Sequence, residues 1–130
     1  WEHVGMGRTA EGLKEGLEKI KAIRKEFDTN LFIPGDKEGL NVELDKAIHL
    51  RDFITMGELI AYDALSRNES CGGHFREEYQ TEEGEAKRDD EHYFYVGCWE
   101  YQGSDEKAPE LLKEPLEYEA IKVQTRNYKN

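Results

Sequence analysis

At 130 residues the chain has the length of one ordinary domain, and 29 Asp and Glu against 18 Lys and Arg give it a formal net charge of −11. That balance argues against nucleic acid or anionic membrane as partners, since both ask for clustered positive charge. No apolar run approaches the roughly 18 residues that span a bilayer, the opening WEHVGMGR lacks the apolar centre of a signal peptide, and Cys71 and Cys98 are too few for a disulfide scaffold and read as reduced thiols of a cytosolic protein.

The chain starts at Trp1 rather than methionine, which reads as a piece of something longer. Residues 1–8 form a glycine-broken lead-in whose Trp1, Val4 and Met6 are expected to lie against something. Thr9 is a natural helix N-cap, with Glu11 in the first turn to suit the dipole. From about 9 to 27, Leu13, Leu17, Ile20, Ile23 and Phe27 recur on one helical stripe, supported by a Glu15–Lys19 pair. Gly12 and Gly16, four apart, are either two weak helix positions or a place where another backbone comes close.

Residues 28–40 connect, with a turn at Pro34-Gly35 and with Leu31, Phe32 and Ile33 expected to tuck under the helices. Asn41 caps a second helix from about 41 to 67, roughly 40 Å long at 1.5 Å per residue. Leu44, Ala47, Ile48, Phe53, Ile54, Ile60, Ala61, Ala64 and Leu65 keep the helical spacing, and Leu50, Met56 and Leu59 widen the stripe past one face. A helix apolar on more than one side needs more than one neighbour. A two-helix hairpin supplies one, so a third helix or another domain is expected to cover the rest.

Cys71-Gly72-Gly73 breaks this helix, and both glycines are expected to supply left-handed backbone. The run HYFYVGCWEY (92–101) reads as a strand. Residues 102–115 read as a polar loop with a helical turn near 109–113, and LEYEAIKVQ (116–124) as a second strand. The fold expected is mainly α: an antiparallel helical bundle, spectrin-repeat-like and without its first helix, with a small C-terminal two-stranded β appendage. As a single domain, 1–130 divides into a helical hairpin (1–68), a motif loop (69–91) and the β appendage with its tail (92–130).

Three constellations could carry chemistry. Cys71, His74, His92 and Cys98 could close a tetrahedral zinc site, because in a regular strand the even offset from 92 to 98 points both side chains to one face; free cysteine is more often a small buried hydrophobe. His74 beside Glu77 and Glu78 has an acid–base composition, but no nucleophile stands by it, and a structural histidine is the simpler reading. Arg76, Arg88, Asp89 and Asp90 are either a solvated face or a recognition surface, and their fixed places at a helix exit and a strand entry favour the surface. There is no glycine-rich phosphate loop, and Asn68-Glu69-Ser70 matches the glycosylation sequon without a signal to give it meaning.

At Glu69-Ser70-Cys71-Gly72-Gly73-His74-Phe75-Arg76 and again at Arg88-Asp89-Asp90-Glu91 the sequence resembles the C-terminal domain of the flavoprotein subunit of succinate dehydrogenase and fumarate reductase. GRTAEGLKEGLEKIKAIRKEF resembles the preceding helix, and HFREEYQTEEGEAKRDDEHYFYVGCWEY with LLKEPLEYEAIKV is most similar to the menaquinone-linked bacterial branch. Cys71 and His92 depart from that pattern, where the family often has Arg and Asn, and Glu78 replaces Asp.

The resemblance implies a structural and docking domain with no catalytic, cofactor-binding or metal-binding residues of its own. The parent would carry FAD and interconvert fumarate and succinate, passing electrons through an iron–sulfur subunit to or from menaquinone. The partners implied are the FAD-binding and capping domains of the same polypeptide and the iron–sulfur subunit, with a membrane anchor subunit reached only indirectly. The place implied is peripheral, on the cytoplasmic side of the inner membrane. His74, Arg76, Arg88, Asp89 and Asp90 are the candidate contacts between domains or subunits. Two other classes fit the residues: a freestanding acidic helical adaptor for a basic partner, and a small Cys2His2 zinc protein.

Overall fold

The computed structural model describes residues 1–125. Helix α1 (Ala10–Asn30) begins where its cap dictates, the Thr9 hydroxyl accepting the Gly12 amide at 3.0 Å. Helix α2 (Val42–Ser66) begins the same way, the Asn41 carboxamide oxygen accepting the amides of Glu43 and Leu44, both at 3.1 Å. These bonds satisfy amides that the helices themselves cannot. The chain is thus mainly helical with a small two-stranded antiparallel sheet, and it divides into one unit of Trp1–Ser66 and a second from Arg67 onward.

In the first unit α1 and α2 pack as a hairpin. Leu13 and Leu17 of α1 meet Ala61 and Ala64 of α2, with Val4, Ile20, Tyr62 and Leu65 packed around them. Alanines on α2 let the leucines of α1 sit close to its backbone, and full burial of a leucine is worth about 2–3 kcal/mol. Near the other end Arg24 pairs with Glu58, both largely buried, and also donates to the Thr55 hydroxyl at 3.3 Å. The glycine edge of α1 receives side chains of the lead-in rather than a second backbone: a Cβ on Gly16 would stand 3.0 Å from His3 Cβ and 3.4 Å from Val4 Cγ2.

Several expectations are corrected. The stripe of α1 is buried at its start only; Ile23 is exposed and Phe27 half-exposed, and between the helices at that level stands the largely buried Arg24–Glu58 pair. Val4 of the lead-in packs inward, whereas Trp1 and Met6 stand in solvent. Leu31 and Phe32 do not tuck under the hairpin: the chain leaves α1 extended, Phe32 is 84% exposed, and Ile33 alone of the three is half-buried. Gly35, at φ 119°, turns the connector against Asn41, whose side chain a Cβ would meet at 2.7 Å. The outer face of α2 remains bare, with Leu44, Ile48, Phe53, Met56 and Ile60 each 46–66% exposed. Those residues have no covering neighbour among the described ones, as the doubled stripe anticipates.

In the second unit a short helix, α3 (Asp90–Tyr93), comes before strands β1 (Tyr95–Glu100) and β2 (Glu110–Pro115), which pair antiparallel from Tyr95↔Pro115 to Glu100↔Glu110. His92 and Tyr93 therefore lie in a helical turn and not in the strand expected over 92–101: Asp89 caps that turn by accepting the His92 amide at 3.3 Å. The second strand is ELLKEP, where a helical turn is expected, and 116–125 is irregular. Hairpin closure decides between the two segments. A turn at Gly103 (φ 80°) and Ser104 brings Glu110 opposite Glu100, and the ladder is used up before residue 116. The tail of the expected appendage, 126–130, lies outside the described residues.

Candidate docking site

Arg67, directly after α2, centres the polar bonding of the second unit. Its Nη2 donates to the carbonyls of Tyr93 (2.7 Å) and Tyr95 (3.3 Å), and its guanidinium lies over both rings, 5.9 and 5.0 Å from their centroids. Guanidinium planes stack on aromatic faces and donate in the same plane, so one side chain secures both α3 and the start of β1. The Arg67 carbonyl in turn accepts from His74 Nε2 (3.1 Å) and Arg76 Nη1 (3.4 Å). A carbonyl only accepts, so His74 carries its proton on Nε2 in this arrangement.

Cys71 and His74 exchange backbone hydrogen bonds of 2.8 and 3.0 Å around Gly72-Gly73. Gly72 has φ 59° and Gly73 is not left-handed, so one glycine and not two supplies the special backbone, the pattern of a type II′ turn. This turn is separate from the end of α2. It folds the chain back so that the Ser70 hydroxyl both accepts the Arg76 amide (2.8 Å) and donates to the Arg76 carbonyl (3.1 Å). Ser70 and Arg76 are 0% and 2% exposed. Buried polar groups persist when they are bonded, and Arg76 adds Glu78 at 3.1 Å and the Tyr79 ring at 5.4 Å.

The second motif is tied to the first by Glu69, 3% exposed, whose Oε2 accepts the Asp89 amide at 2.9 Å. Asp89 also holds His92 Nδ1 at 3.0 Å; that bond pulls the Asp89 carboxyl below its ordinary range and lifts the His92 imidazole above its own. Arg88 chelates Asp90 Oδ1 through Nε (3.0 Å) and Nη2 (2.6 Å) and donates through Nη1 to the Gln124 carbonyl (3.2 Å). The Asp90 pairing raises the Arg88 pKa.

Of the five candidate contact residues, the structure encloses Arg76 within its own unit and leaves Asp90 exposed, with His74, Arg88 and Asp89 half-buried. His74 Nε2 is taken up by the Arg67 carbonyl, the structural role that the sequence suggests for this histidine. The zinc tetrad is not assembled: His92 lies outside β1, so the strand offset that would align it with Cys98 does not exist, and the described residues contain no group of three His, Cys, Asp or Glu that could hold a metal ion. Sequence reasoning missed Arg67 and Glu69 as organisers. Their signal was two charges beside a serine at the end of an apolar helix, where exposure is the ordinary expectation.

The fold defines the class first. It superposes at TM-score 0.75 on a point variant of the E. coli quinol fumarate reductase flavoprotein FrdA, covering 95% of this chain and 20% of that one at 21% identity. A quinol–fumarate reductase with menaquinol molecules gives TM-score 0.74 over 91% of this chain and 19% of that one, at 23% identity. This is the fold of a helical domain that makes up about a fifth of each longer chain. The chain belongs to the family described as fumarate reductase flavoprotein C-term, whose model matches residues 1–128.

Among curated relatives, it is 35% identical over 89 residues to a chloroplastic L-aspartate oxidase of Oryza sativa, covering 68% of this chain. It is 28% identical over 88 residues to a fumarate reductase (CoM/CoB) polypeptide of Methanothermobacter marburgensis, again covering 68%. An uncharacterized FAD-dependent oxidoreductase of Methanocaldococcus jannaschii is 33% identical over 79 residues, or 61% of the chain. The matched stretch covers 13%, 16% and 14% of these three relatives, so the chain spans a small part of their length.

Proposed function

We propose that this chain is the C-terminal structural and docking domain of a flavoprotein that interconverts fumarate and succinate on FAD, with electrons passing through an iron–sulfur subunit to or from menaquinone. The domain braces the FAD-binding and capping domains of the same polypeptide and holds no catalytic residue itself. The observation that carries this reading is the bare outer face of α2, with Phe53, Met56 and Ile60 left uncovered. Exposed apolar stripes of that kind belong to interfaces. His74, Arg88, Asp89 and Asp90 add polar contacts from the second unit, with Arg76 fixing the loop that presents them. The complex sits on the cytoplasmic side of the inner membrane through other subunits; no helix among the described residues is long and apolar enough to cross a bilayer.

The test is a pair of purifications. The chain expressed alone should be colourless, and the full-length protein should show the flavin absorption bands and reduce fumarate with a viologen donor. A yellow isolated chain overturns the structural assignment. The match to L-aspartate oxidase supports one second reading, a parent that oxidises L-aspartate. Full-length protein that turns over L-aspartate and leaves succinate untouched decides for it.

A further inference from the structure

Residues 116–123 form a strap fastened at both ends. The Leu116 amide donates to the Phe94 carbonyl at 3.2 Å, and the Gln124 carbonyl accepts from Arg88 at 3.2 Å. Between these ties Tyr118 packs edge-on against Phe94, ring centroids 5.7 Å apart. Along the strap lies a cavity of about 380 Å³, within the size range of small-molecule sites, whose lining includes Tyr93, Phe94, Tyr95, Ile121 and Val123. Ile121 and Val123 are 68% and 42% exposed, an apolar cost that a ligand body would relieve.

The charge in the cavity is unevenly committed. Its two carboxylates are engaged, Glu69 by the Asp89 amide and Asp90 by the Arg88 fork. Its cations are less fully engaged: Arg67 Nε is buried without a hydrogen bond and meets Glu69 Oε1 only at ion-pair distance, 3.6 Å. Lys122, on the strap, has no ion-pair partner among the described residues. An aromatic box with spare cationic donors, in a chain of net charge −11, selects an apolar body that carries an anionic group. We propose that this cavity binds a small organic carboxylate with a planar or branched apolar body, its carboxylate toward Arg67 and Lys122 and its body between Phe94 and the strap.

The two cysteines make a local reporter, because both are exposed and Cys71 lines the cavity whereas Cys98 lies on β1. In the full-length protein, iodoacetamide alkylation of each is followed by mass spectrometry with 4-fluorobenzoate as the probe and 4-fluorobenzyl alcohol as its neutral counterpart. At about ten times its dissociation constant the acid should slow Cys71 about tenfold and leave Cys98 unchanged, and the alcohol should protect neither. Lys122→Gln should weaken the protection several-fold, and Ile121→Trp, which fills the cavity from an exposed position, should abolish it. Protection of both cysteines or of neither, equal protection by the alcohol, a Cys71 that does not react even without probe, or variants that keep full protection each overturn the proposal.

Discussion

The buried Glu69 carboxylate accepts the Asp89 amide at 2.9 Å, although twenty residues separate them in sequence. That bond joins the two motifs of the chain, the loop that follows α2 and the acidic turn that opens α3. It also places the other Glu69 oxygen 3.6 Å from Arg67 Nε. A short polar side chain here substitutes for a hydrophobic core, because among the described residues of the second unit Tyr95 is the one buried large hydrophobe.

Removing the Glu69 carboxylate leaves the Asp89 amide and the Arg67 guanidinium uncompensated, so Glu69→Ala should destabilise the second unit by about 3 kcal/mol. Glu69→Gln keeps an acceptor for the amide and should cost less than half of that. Hydrogen exchange at the Asp89 amide is the direct reading: it should accelerate strongly in the alanine variant and modestly in the glutamine one. Unchanged exchange in both would mean that the bond contributes nothing.

Leu13→Ala opens a cavity at the fully buried contact with Ala61 and Ala64, and should cost about 3 kcal/mol. Ile23→Ala, further along the same stripe but 53% exposed, should stay within about 0.5 kcal/mol. Urea denaturation of the two variants checks the contrast, and equal effects would place the core elsewhere.

The starts of both long helices could be read from residue chemistry, since Thr9 and Asn41 act through bonds to amides two or three residues away. Local chemistry could not choose between ELLKEP and LEYEAIKVQ as the partner of β1. ELLKEP lacks the β-branched and aromatic residues that mark a strand, and the choice lay in the turn at Gly103 and the length of the ladder, which are non-local. His92 went to a helical turn for a local reason that aromatic density hid: the Asp89 cap outweighs the β preference of the run after it. Arg76 was legible as important but not as enclosed, because a charge in a glycine-broken loop gives no sign that Ser70, the Arg67 carbonyl and Tyr79 will surround it.

His92 and Asp89 give the α3 turn a pH window. The hydrogen bond to Asp89 raises the imidazole above its ordinary 6.5, and its contribution is complete below that value and fades as pH rises through the raised pKa. The same bond lowers Asp89 from 3.8, so its contribution is present above that value and fades as pH falls through the lowered pKa. The turn is therefore tightest between the two. An NMR titration of His92 should show its midpoint falling toward 6.5 in Asp89→Asn, and an unmoved midpoint would mean that the pair does not form in solution. Both groups are solvent-exposed, so added salt should shrink the shift.

The outer face of α2 separates a docking domain from a freestanding one. Phe53 and Ile60 are 66% and 47% exposed, and replacing exposed apolar side chains costs a folded unit little. In the chain expressed alone, Phe53→Ser and Ile60→Ser should shift stability by no more than about 0.5 kcal/mol and should reduce self-association on a sizing column. In the full-length flavoprotein the same positions are expected to lie against another domain, where loss of a buried large side chain costs about 2–4 kcal/mol. There the variants should lower the thermal midpoint and release flavin at lower temperature, followed by the rise in flavin fluorescence. A small effect in both settings would leave this face open in the whole protein, and the docking assignment would fail with it.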